Sequence, residues 1–150
     1  MTLHSSLTGS ECHEPKGANT SGAGRVYVAD GSGSGSWKFR PYTLVLNIDD
    51  IASSGDIYIP IPYAGNVAKV QTTLSGAIAG SDVIFTVYDS SNNSMGTLTI
   101  TQSGSAAGDT DTLVPASNQD VTGSDYVKIS CNGGATAHVD TTIVVCVEGT

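Results

Sequence analysis

The sequence predicts an all-β fold: an antiparallel sandwich of about eight strands, most simply a jelly roll, preceded by an extended N-terminal arm. Three observations carry this. Short apolar runs with two-residue alternation recur from residue 42 to residue 149. Clusters of Gly, Ser, Asn and Asp separate them. No segment carries convincing helical periodicity. An immunoglobulin-like sandwich is the alternative, but the single Trp lies outside the strand-rich part, so the Cys–Trp–Cys spacing of that fold is missing.

The chain divides near Pro41. Residues 1–40 form the arm, where only "RVYVAD" (25–30) reads as a strand, too little to build a core. Residues 41–150 form the β-sandwich domain. In "YTLVLNI" (42–48), Tyr42, Leu44, Leu46 and Ile48 share a face. In "DIYIPIPY" (56–63), Ile57, Ile59, Ile61 and Tyr63 share a face. Pro60 and Pro62 each lack an N–H, and alternate N–H groups leave a strand on the same side, so this strand is a sheet edge or is paired on one side only. "VAKVQTTLS" (67–75) is a weaker strand. "DVIFTVYD" (82–89) and "GTLTIT" (96–101) flank the turn "SSNN" and form the clearest hairpin. "DTLVP" (111–115) is short and ends at proline. "DYVKIS" (125–130) turns Val127 and Ile129 inward. "TTIVVCVEG" (141–149) is apolar on both faces, the pattern of a central strand.

Charge is unevenly distributed. The whole chain carries −8. Residues 42–150 hold eleven acids against Lys69 and Lys128, whereas residues 1–41 hold Lys16, Arg25, Lys38 and Arg40 against three acids. An acidic main domain repels nucleic acid and anionic membrane, so neither is an expected partner. The N-terminus lacks a basic start followed by an apolar run, and no 18-residue apolar segment occurs, so neither a secretory signal nor a membrane span is expected. Cys12, Cys131 and Cys146 cannot all pair within one chain, and reduced thiols are the expectation. The sequons at Asn19 and Asn92 carry no weight without secretion.

No catalytic site assembles. In "ECHE" (11–14), adjacent Cys12 and His13 lack the spacing of metal ligands, and no second half-site exists, so no metal or other cofactor is expected. Asp49–Asp50 and Asp109/Asp111 are carboxylate pairs, but they stand at turn positions where Asp accepts local backbone hydrogen bonds. His138 has no Ser or Cys in a recognisable nucleophile elbow. Cys131 and Cys146 both read as small buried apolar side chains. Glycines 31, 33 and 35 alternate without a following helix, so they do not form a phosphate loop.

The arm carries the most information. "HEPKG" (13–17), a polar spacer and "GRVYVADGSGSGSW" (24–37) resemble a segment that recurs in structural proteins of tailed bacteriophages, of the head-decoration and head-fibre type. The resemblance covers about 25 residues. It implies a non-enzymatic virion protein on the capsid exterior, assembled in the host cytoplasm and bound to the major capsid protein as a homotrimer. It also implies capsid contacts from His13, Glu14, Pro15, Lys16, Gly17, Arg25, Val26, Tyr27, Val28 and Trp37. The Gly-Ser run then reads as a permissive native turn, not an appended linker. Trp37 is an anchor, either in a partner's pocket or against the chain's own β domain. The second functional reading is a β-sandwich module of a phage fibre that binds glycans or the host surface.

Overall fold

A computed structural model describes residues 24–32 and 35–150. They fall into two compact units that meet in sequence between Arg40 and Pro41. Among the described residues there is no helix. Two strands, β1 (Arg25–Ala29) and β2 (Gly35–Phe39), form an antiparallel ribbon in the first unit.

The second unit contains β3 (Tyr42–Ile48), β4 (Gly55–Pro60), β5 (Gly65–Leu74), β6 (Val83–Tyr88), β7 (Ser94–Ile100), β8 (Thr110–Leu113), β9 (Asp120–Val121), β10 (Tyr126–Cys131) and β11 (Thr141–Gly149). One sheet has the order β3-β11-β5-β8, with β9 also on β5; the other has β4-β10-β6-β7. All pairs are antiparallel. Apart from β8 to β9, the chain changes sheet at each connection except β6 to β7, which is the path of a jelly roll. The sandwich therefore has the predicted fold, with one extra strand. The two-residue β9 is too short to show alternation.

Alternation decides which faces meet. Val67, Val70, Ile143, Val145 and Val147 of one sheet are buried, as are Phe85, Val87, Leu98, Ile100, Val127 and Ile129 of the other. Ile51, Ile61 and Ile78 seal the core from the connections. Each such side chain contributes about 1.5–3 kcal/mol on full burial. β11 lies between β3 and β5, as its two apolar faces predict. Gly65 opens β5 where any side chain would collide with Val147 and the Glu148 backbone. The register between β5 and β11 then shifts between Cys146 and Val147.

β4 is a sheet edge, paired with β10 alone among the described strands. The Ile61 N–H donates to the Asp125 carbonyl at 3.0 Å, on the β10 side. By alternation the nitrogens of Pro60 and Pro62 face the open side. That edge lacks donors where another strand would need them, which protects it from strand addition. The β6–β7 hairpin closes on Asp89, whose carboxylate accepts from the Ser91 and Asn93 backbone N–H groups at 2.9 and 2.8 Å and from the Asn93 side chain at 2.8 Å. Asn92 takes a left-handed φ of 63° in that turn, which Asn tolerates.

Cys131 and Cys146 are both free thiols and belong to different sheets. Cys131 is buried, as expected of a small apolar side chain, while Cys146 is half-buried on the outer face of β11. Burial pushes the Cys131 thiol above its ordinary range, against a hydrogen bond from the Gly133 backbone, and the Asp50 charge adds to the rise. Cys12 lies outside the described residues. The melting temperature is expected to be the same with and without reductant. A large drop on adding reductant in a calorimetric scan would show that two of the cysteines are paired.

Candidate functional site

The β1–β2 ribbon gathers most of the described residues that the arm motif singles out. Val26, Tyr27 and Val28 are strong strand formers. Asp30 then stops β1: its carboxylate accepts the Ser32 N–H at 2.8 Å, and Gly31 follows with φ +76°. β2 returns in the register Arg25↔Phe39, Tyr27↔Trp37, Ala29↔Gly35. Glycine is required at 35. A side chain there would stand 2.9 Å from the Tyr27 ring and collide with the Val28 backbone. The last glycine of the Gly-Ser run is therefore the opening residue of β2.

Directly opposed residues share a face, so the ribbon has two different sides. Arg25, Tyr27, Trp37 and Phe39 form one. Tyr27 and Trp37 meet edge to face, with centroids 5.5 Å apart at 67°. The Arg25 guanidinium lies 4.9 Å from the centre of the Phe39 ring. Each contact adds about 0.5–1.5 kcal/mol to an otherwise marginal two-stranded ribbon. Val26, Val28, Ser36 and Lys38 form the other side, with Val28 41% exposed. Arg25, Lys38 and Arg40 face a single described carboxylate, Asp30, so the ribbon is locally basic.

Arg25, Tyr27 and Trp37 thus share one face, and Val26 and Val28 the opposite one. His13, Glu14, Pro15, Lys16 and Gly17 lie outside the described residues. Phe39 and Lys38 were not singled out from the sequence. The signal was there: in "SWKF", Trp37 and Phe39 alternate with Ser36 and Lys38 at the strand period.

Two of the other candidates make local turn bonds. Asp50 accepts the Ala52 N–H at 2.9 Å, and Asp109 accepts the Ala106 N–H at 2.7 Å, both as local turn bonds. Burial, and then the Asp109 charge, raise Asp111 above the usual carboxylate range. His138 meets Asp140 at 2.8 Å and Asp50 at 3.9 Å. Among the described residues no group of three or more His, Cys, Asp or Glu converges as metal ligands. An open cleft of about 420 Å³ lies among residues 100–111, lined by Ser103, Ser105, Asp109 and Asp111.

No protein-family model matches the chain, and no curated protein matches it. Solved structures do resemble its fold. A chain in the acidic stable capsid structure of Helicobacter pylori bacteriophage KHP30 aligns with TM-score 0.50 and 13% identity, covering 74% of this chain and 89% of that one. CsCBM6-3 from Clostridium stercorarium, solved in complex with cellobiose, aligns with TM-score 0.40 and 10% identity, covering 83% of this chain and 82% of that one. At 13% identity, what the chain has in common with the phage capsid structure is the fold.

Proposed function

We propose that the chain is a non-enzymatic virion structural protein that binds the assembled capsid of a tailed phage through residues 1–40. In this reading the β-sandwich stands on the capsid exterior, and the partner is the major capsid protein. The observation that carries it is the ribbon. It concentrates the single Trp, an edge-to-face Tyr, an Arg-capped Phe and three cations in a unit that contributes none of the described core side chains. Such a ribbon is a preformed contact: cross-strand pairing lowers the ordering cost that an unstructured segment would bear on docking. The phage motif across residues 13–37 supports the same reading, as does the likeness of the sandwich to a chain in a phage capsid structure.

The test is Trp37→Ala, measured by co-sedimentation with native particles. A central aromatic anchor is worth about 2–4 kcal/mol, so affinity is expected to fall roughly 30- to 800-fold. The melting of residues 42–150 should not change. Full occupancy by the variant at wild-type concentrations would remove Trp37 from the interface.

The proposal includes a homotrimer. No heptad pattern is present, so copies would associate through β surfaces. Light scattering is expected to give three times the monomer mass at micromolar concentration. A monomer both in solution and on the particle would refute the trimer while leaving the attachment reading intact.

A further inference from the structure

The outer face of the β4-β10-β6 layer has a composition that attachment through residues 1–40 does not use. Ile59, Val127, Ile129 and Val87 point into the core, so Tyr58, Tyr126, Lys128 and Tyr88 point outward. Register sets Lys128 directly between Tyr58 and Tyr88. Its ammonium lies 4.3 Å from the centre of the Tyr88 ring and donates to Asn92 Oδ1 at 2.6 Å. Tyr58 meets Tyr126 edge to face, with centroids 5.1 Å apart at 74°, and the Tyr126 hydroxyl donates to the Ser90 carbonyl at 3.2 Å. Two of the three rings are thereby held in place from behind or from the side. Tyr58 nonetheless stays 56% exposed. The adjacent row of the same face is Asp56, Ser130 and Thr86, all hydrogen-bonding groups.

Charge selects the ligand. Residues 41–150 carry eleven carboxylates against two lysines, yet on the strands of this face the outward charges are Lys128 and Asp56, which cancel. A polyanion would be repelled by the surrounding acidic surface, and a polycation would meet Lys128 on the face itself. The complementary ligand is uncharged. A second protein surface would disfavour a charged residue at its centre, where Lys128 stands. A sugar chain fits: the C–H face of a sugar ring stacks on Tyr58, Lys128 over the Tyr88 ring donates to a hydroxyl, and other hydroxyls find Asp56, Ser130 and Thr86. Tyr58 and Tyr88 stand two strand spacings apart, about 10 Å, so a ligand that touches both must be an oligosaccharide.

We propose that this face binds a neutral saccharide chain across Tyr58, Lys128 and Tyr88. Calorimetric titration of the full-length protein with cello-, malto-, xylo- and mannohexaose tests it, with polygalacturonate as the anionic control. At least one neutral hexasaccharide is expected to bind with Kd below about 1 mM. Tyr58→Ala, which removes the stacking ring, and Tyr88→Ala, which removes the ring that holds Lys128, should each weaken it about tenfold. Val45→Ala, at an exposed site in β3 of the other sheet, should leave it unchanged. Thermal melts of the variants establish that they remain folded. No heat from any neutral hexasaccharide at about 5 mM, binding that survives Tyr58→Ala, or a preference for polygalacturonate would each overturn the proposal. So would a wild-type oligomer that falls apart in Tyr58→Ala, because the face would then lie between copies.

Discussion

Deleting residues 1–40 is expected to abolish capsid decoration and leave a folded β-sandwich. The second half of that statement rests on the core. Every described buried apolar side chain, from Ile51 to Val147, lies after the cut, and β3 begins at Tyr42 with its full ladder to β11. The first half rests on the ribbon. Val26, Tyr27, Val28 and Trp37 are each worth about 1.5–3 kcal/mol if fully buried against a partner. Losing as little as about 4 kcal/mol weakens binding a thousandfold, beyond the range of a sedimentation assay at micromolar protein. Arg25, Lys38 and Arg40 go with them, so lowering the salt should not restore binding. The truncated chain should give the same cooperative melt by circular dichroism as the sandwich in the intact chain. Particles decorated at full occupancy by residues 41–150 would place the attachment surface in the sandwich instead.

Most of the sandwich was legible because one face of each strand meets the core and the other meets water. "DYVKIS" shows Val127 and Ile129 inward, and the structure buries both. The edge position of β4 was legible for a different reason: Pro60 and Pro62 remove donors on one side only. The start of β2 was not legible. Its Gly-Ser opening has no apolar alternation, and what makes Gly35 a strand residue is the Tyr27 ring and Val28 backbone packed over it, a tertiary fact. The Tyr58–Lys128–Tyr88 row was hidden for a related reason. Those residues are 30 or more positions apart, and only strand order and register bring them together. The aromatic face of the ribbon lies between these cases: the alternation of Trp37 and Phe39 was readable, but their pairing with Tyr27 and Arg25 required the register.

Phe85→Ala is expected to be the most destabilising single truncation in the sandwich. Phe85 is 1% exposed and is the largest of the fully buried side chains. It sits in β6 with Leu98 of β7 opposite on one side and Cys131 of β10 on the other, so strands on both flanks hold the cavity open after truncation. Removing a buried Phe costs about 3–5 kcal/mol, the transfer of the ring plus the void it leaves. For a domain of this size that lowers the melting temperature by roughly 6–20 °C. Ile84→Ala is the control one residue away, because Ile84 is 37% exposed on the outer face and gives up far less buried surface. The contrast also bears on function. If attachment resides in the ribbon, Phe85→Ala should bind particles normally at temperatures where the sandwich remains folded, while Trp37→Ala should melt normally and bind poorly. A Phe85→Ala melting temperature within about 2 °C of the parent would mean that β6 does not present this face to the core. Loss of binding by Phe85→Ala well below its melting point would tie attachment to the sandwich.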